Sequence, residues 1–146
     1  MEITKAKQTD AQELSELLSE IISTTPYFSD LAVSGEKLKY NVQALTEKLT
    51  NPDYIFLVNR GGSGKINAIC FGQLDDAVFF GNWIGVVKEN RKHGVATALI
   101  EKMFTELKQR GVSRMHVHTR LGNKESIDLL LKLGFKNNGL LQKNCW

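Results

Sequence analysis

The chain has 146 residues, of which 42% are apolar and 24% charged, with a formal net charge of +3. That length supports one domain with a sizeable core and excludes two ordinary ones. No apolar run approaches membrane-spanning length and Met1, Glu2, Ile3 and Thr4 open no signal-peptide pattern, so a cytoplasmic protein is expected, with no membrane partner. The mild positive charge fits an anionic ligand, and without interleaved aromatic and basic residues it gives no support to nucleic acid.

In chain order, Ile3 to Ala6 reads as a short strand. Thr9 or Asp10 can cap a helix whose apolar positions Leu14, Leu17, Leu18, Ile21 and Ile22 recur at helical spacing, ending before Pro26. Pro26, Tyr27, Phe28, Ser29 and Asp30 form a turn. A second helix is expected after Ser34 and Gly35, with Leu38, Val42, Leu45 and Leu49 as its apolar stripe and Asn51 and Pro52 closing it. Strands follow over 54–58 and 66–71, joined by the polar tip Arg60, Gly61, Gly62, Ser63, Gly64 and Lys65. Gly64 and Lys65 do not make a phosphate-binding P-loop. Asn59 stands where that motif needs its first glycine, and a strand follows Lys65 where it needs a helix.

Leu74, Asp75 and Asp76 mark a turn, and 77–87 is a long strand in which Gly81 and Gly85 suggest a bulge or the close approach of another backbone. A helix opens at Gly94, with Val95, Leu99, Met103 and Leu107 on one broad apolar face and Gly111 at its C-terminal cap. A strand over 113–121 puts Met115, Val117 and Thr119 on one face and His116, His118 and Arg120 on the other. A last helix over 124–133 ends at Gly134, and a weak extended segment leads to Trp146. Cys70 and Cys145 have no metal-ligand spacing, and Cys70, inside an apolar run, reads as a buried thiol. The order of elements gives an α/β domain covering 1–146, a mixed sheet with helices on both faces.

Chemistry concentrates where the strand ending at Val87 passes through a basic loop into the helix at Gly94. The first N–H groups of a helix lack internal partners and carry partial positive charge, so such a turn holds an anion well. Arg91, Lys92 and the backbone from Arg91 to Thr97 are the candidate cradle, with His93, Gly94, Val95 and Ala96 inside it. Lys88 reads as a solvated surface charge.

Arg91-x-x-Gly94-x-Ala96, between an apolar strand and a long helix, resembles the acyl-CoA signature of the GNAT superfamily of N-acetyltransferases. Asn123-x-x-Ser126-Ile127 followed by Leu133-Gly134-Phe135 resembles that family's second motif. The resemblance covers nearly the whole chain. It implies a mostly antiparallel mixed sheet of about six to seven strands, splayed between the fourth and fifth. It also implies acetyl-CoA as co-substrate, no metal, and transfer of acetyl to a primary amine of a small molecule or peptide by direct attack in a ternary complex. Ile84, Gly85 and Val86 would pair with the pantetheine amides and polarise the thioester. Asn123 and Ser126 would lie beside the cofactor.

Two positions depart from the family's pattern. Leu130 stands where many members carry the Tyr that protonates the departing thiolate, and Tyr27, Tyr40 and Tyr54 are distant in sequence. Phe79, Phe80, Asn82 and Trp83 fill the strand region where some members carry a catalytic Glu. The base is then His118, with His116 behind it, or a water held by Asn82. These departures motivate the alternative of an acyl-CoA-binding module with weak or lost catalysis, serving as a sensor or partner subunit. Tyr27, Phe28, Asp30 and Trp83 are candidates to line the acceptor site, and Asp75 and Asp76 could attract a cationic amine. The chain shows one final extended segment, from Gly139, where many members have a hairpin. A homodimer that supplies the missing strand is one expectation.

Overall fold

The computed structural model describes residues 1–139. Its elements are β1 (Glu2–Lys5), α1 (Ala11–Ser23), α2 (Asp30–Lys39), α3 (Val42–Thr50), β2 (Tyr54–Arg60), β3 (Ile66–Asp75), β4 (Val78–Val86), α4 (Val95–Gln109), β5 (Arg114–Val117) and α5 (Lys124–Lys132). The five strands lie in chain order in one sheet. Neighbours are antiparallel from β1 to β4, and β5 runs parallel to β4. The resemblance led to about six to seven strands; the described residues hold five. Residues 135–139 form no strand, and the rest of the expected last segment lies outside the described residues. Among the described residues no helix is long and apolar enough to cross a membrane.

The sheet has a core on each face, which is why β2 and β3 read as nearly continuous apolar runs. Phe56, Val58, Ile69 and Phe71 pack under α1 and α3 with Leu14, Leu18, Ile22 and Leu45. Ile55, Leu57, Ala68 and Cys70 face the other way, onto Val95, Leu99, Met103 and Leu107 of α4. The expected apolar face of α4 is the buried one, and Gly111 ends the helix at φ +75°.

The expected second helix is two helices. The Ser29 hydroxyl caps α2 at the Ala32 N–H (3.2 Å), and the Asn41 amide oxygen caps α3 at the Ala44 N–H (2.9 Å). This break changes the phase of the stripe. Leu38 is 71% exposed, and Tyr40 is buried instead, edge-on to Phe71 at 5.3 Å. Asp10 does precede α1, but its carboxylate does not cap it. It accepts from the Lys7 N–H (2.7 Å) and pairs with Arg60 (2.8 Å), tying the start of α1 to the end of β2. The tip between β2 and β3 is a hairpin turn closed by the Gly61 N–H donating to the Lys65 carbonyl (2.9 Å).

Candidate active site

The site begins with one extra residue in β4. Gly72 pairs with Gly81 and Phe71 with Trp83, so Asn82 is left over as a bulge. Strict alternation would put Phe79 on the same face as Trp83. The bulge reverses the phase: Phe79, Ile84 and Val86 all face α4, while Trp83 faces α1 and α2. The bulge also bends β4 away from its neighbour. β5 pairs with it only from Val78 to Gly81 and stops at Val117, while β4 runs on to Val86. A cleft of about 410 Å³, counting the part open to solvent, occupies the gap. This is the expected splay between the fourth and fifth strands.

Asn82, Ile84, His118, Ser126 and Leu130 line the cleft, with Cys70 at its floor. His116 and His118 were expected on one face, but they separate. His116 packs edge-on to Phe80 at 5.5 Å and takes no part in the lining, whereas His118 does. The cause is the end of β5 at Val117: His118 is already past the strand, where alternation no longer governs direction. Cys70 is 3% exposed, and burial pushes its thiol up to about 12, so it is not a thiolate at neutral pH. None of Tyr27, Tyr40 and Tyr54 lines the cleft.

The turn after β4 supplies the other half of the site. A 3-10 turn at Lys88–Asn90 leads to Lys92 at φ +62° and Gly94 at φ +80°. The Ala98 N–H donates to the Gly94 carbonyl (3.0 Å) as the first bond of α4. The N–H groups of Val95, Ala96 and Thr97 therefore have no partner within the helix. A Cβ at Gly94 would meet no atom within 4 Å, so the space over the helix start is open. Lys92 and His93 are exposed around it, while the Val95 side chain is buried in the core and only its backbone faces the turn.

Three residues of the expected cofactor set hold places the sequence did not indicate. Arg91 turns back, and its Nε–H donates to the Val86 carbonyl (2.9 Å), clamping the end of β4. The Asn123 amide oxygen accepts from the Ser126 N–H (3.3 Å) as the cap of α5, and Ser126 rather than Asn123 lines the cleft. Gly85 is not a bulge. It pairs in register with Ile69, and a Cβ there would lie 2.6 Å from Ile21 Cδ1, so the glycine admits α1.

On the α1–α2 side of the gap, residues far apart in sequence meet. The Trp83 indole N–H donates to Glu36 (3.2 Å), and Phe28 sits edge-on to Trp83 at 5.9 Å. The Arg120 guanidinium lies 4.9 Å from the Phe28 ring centroid. The Tyr27 ring lies against Gly122, where a Cβ would come within 3.1 Å of it. Glu36 and Arg120 carried no local signal that would have placed them here. Asp75 and Asp76 end the β3–β4 hairpin at the far end of β4 from Val86.

The sequence profile of the Acetyltransferase (GNAT) family matches residues 16–135. The [ribosomal protein bS18]-alanine N-acetyltransferase of Escherichia coli K12 is 33% identical over 84 residues, which is 56% of this chain and 55% of that protein. The chain thus spans about half the length of the curated relatives it matches. Among solved structures, a PaiA N-acetyltransferase from Thermoplasma acidophilum in complex with coenzyme A superposes with a TM-score of 0.84 at 18% identity, covering 92% of this chain and 89% of that one. The ribosomal-protein-S18-alanine N-acetyltransferase of Escherichia coli superposes at 0.71 with 20% identity, covering 94% and 79%. With the profile spanning most of its length and the splayed sheet in place, the chain belongs to the acetyltransferase (GNAT) family.

Proposed function

We propose that residues 1–146 form one catalytic domain that moves an acetyl group from acetyl-CoA to a primary amine by direct attack in a ternary complex. The observation that carries this reading is the cleft between β4 and β5, lined by β4 up to Ile84, with the chain passing from the end of β4 through one turn to the bare N-terminus of α4. The N–H groups of Val95, Ala96 and Thr97, with Lys92 and His93 around them, suit a pyrophosphate. The free edge of β4 at Ile84 and Gly85 suits the amides of the pantetheine arm. The Val86 carbonyl is already used by Arg91. A thioester in the cleft would meet the β4 bulge, where backbone N–H groups can stabilise the oxyanion of the attack.

The remaining roles follow from chemistry at the cleft. His118 takes the proton from the attacking amine, either directly or through a water shared with Asn82. Leu130 cannot donate a proton, so the thiolate leaves unaided. That is tolerable because a thiol's pKa is only about 8.5. Cys70, held protonated by burial, supports direct transfer over an acyl-cysteine intermediate. Relatives named for acetylating alanine of a ribosomal protein support a peptide α-amine as the acceptor to try first.

The test is thiol release from acetyl-CoA with a panel of amines and short peptides. Turnover that needs an amine supports the reading, and binding of acetyl-CoA with no turnover on any amine contradicts it. Leu130 in the cleft favours a second reading, a binding module with lost catalysis. Turnover that disappears in His118→Ala while acetyl-CoA affinity is kept would remove that second reading.

A further inference from the structure

We propose that Arg120 selects acceptors carrying a carboxylate next to the amine that is acetylated. This rests on the acetyl-transfer reading and adds the acceptor's chemistry to it. Arg120 lies in the loop between β5 and α5, just beyond His118, which lines the cleft. Its guanidinium carbon lies over the Phe28 ring, 4.9 Å from the centroid, and Phe28 is itself edge-on to Trp83. Phe28 and Trp83 belong to the core under α1 and α3, while Ile84 and Val95 belong to the core under α4. Arg120 is therefore on the opposite side of the gap from the α4 turn, where the coenzyme's phosphates would be held. Its charge faces the side left for the acceptor.

The hydrogen bonding of Arg120 points the same way. Arg60, Arg91 and Arg110 each donate to a protein acceptor, and Arg60 has Asp10 and Glu13 beside it; among the described residues Arg114 and Arg120 do not donate to one, and of these two Arg120 is the one held over an aromatic ring. Among the described residues Arg120 donates to none, and no carboxylate lies within 4.0 Å of it, Asp30 at the start of α2 included. A cation–π contact of this kind consumes no N–H donor, so the N–H groups in the guanidinium plane remain unspent. A preoriented planar fork of donors with no internal partner is suited to a carboxylate, which it can bind through two parallel bonds. Glu36 lies across Trp83, but it is occupied by the Trp83 indole and by Lys39 (2.6 Å), so it does not neutralise Arg120. Two sources share this chemistry: the acidic side chain of a peptide's first residues, or the α-carboxylate of a free amino acid.

The experiment compares kcat/KM for C-terminally amidated peptides that differ only in Glu, Gln or Lys next to the N-terminal amine, with free amino acids as a separate arm. The wild type should prefer Glu to Gln roughly ten- to hundredfold. Arg120→Gln should bring the two within about twofold, Arg120→Glu should favour Lys, and Arg120→Lys should keep part of the preference because it retains charge and loses the fork. Acetyl-CoA affinity should stay unchanged in all three. A preference confined to free amino acids assigns the carboxylate to the α-group, and one seen in the amidated peptides assigns it to a side chain. Turnover without preference for an acidic acceptor in either arm, or a preference that survives Arg120→Gln, overturns the proposal and leaves acetyl transfer standing. No turnover on any amine, with acetyl-CoA bound, overturns both.

Discussion

Gly94 combines two requirements that few residues meet together. It takes φ +80° at the start of α4, and it leaves the space over the helix N-terminus empty. A side chain there costs about 1 kcal/mol in backbone strain, and a carboxylate would also repel a pyrophosphate. Gly94→Glu is expected to weaken acetyl-CoA binding at least about a hundredfold in a calorimetric titration, while the circular dichroism spectrum keeps its shape. Unchanged affinity would place the coenzyme elsewhere. At His118, replacement by Gln should lower kcat by about a hundredfold without altering acetyl-CoA affinity, the usual scale for removing a general base. His116→Gln should leave kcat near wild type, because that ring packs on Phe80 outside the cleft. The helix start at Gly94 was legible in the sequence because the basic loop ends and helical apolar spacing begins there. The separation of the two histidines was not, since it depends on β5 stopping at Val117.

The bulge at Asn82 is the element on which the site's shape depends. It is accommodated opposite Gly72, where a Cβ would come within 2.2 Å of the Phe80 carbonyl oxygen. That contact is with backbone and cannot yield by a rotamer change. Gly72→Ala should destabilise the fold by about 3 kcal/mol in urea unfolding. Gly85→Ala should cost less, about 1 kcal/mol, because what it meets is the Ile21 side chain, Cδ1 first and then Cγ2, and no backbone atom. Equal costs would mean that the bulge is not the constraint.

A second test at this scale concerns the clip between β1 and α4. Glu106 is buried, and its hydrogen bond from Lys5 (2.7 Å) is the main cause that holds its carboxyl below the usual range, with Lys102 and Arg110 adding to it. A depressed carboxyl pKa stabilises the fold above the unfolded value of about 4.3 and loses that contribution as pH falls through the folded value. The stability gap between wild type and Glu106→Gln should therefore narrow in urea titrations as pH drops from about 6 to about 3. A constant gap would contradict the pairing. Strands and the α4 face were readable because apolar runs and helical spacing record burial directly. The break between α2 and α3 was missed because Leu38, Val42, Leu45 and Leu49 mimic one stripe across a cap at Asn41.

At the scale of the whole molecule, the two cores divide the labour. The α4 face offers bare N–H groups and the free edge of β4; the α1–α3 face offers aromatic walls, Glu36 and Arg120, which has no hydrogen-bond acceptor among the described residues. The cleft between β4 and β5 is where they meet, and the proposed direct attack requires both reactants there at once. That division was only half legible. Most of the proposed coenzyme half is one contiguous stretch, from Ile84 to Thr97, with Asn123 and Ser126 added by the second motif, whereas the proposed acceptor half gathers Phe28, Glu36, Trp83 and Arg120 from separate parts of the chain. Initial-rate kinetics with acetyl-CoA and an amine peptide varied together test this most directly. The account predicts double-reciprocal lines that intersect, with no thiol released when the amine is omitted. Parallel lines, or a burst of thiol equal to the enzyme concentration without amine, would contradict it.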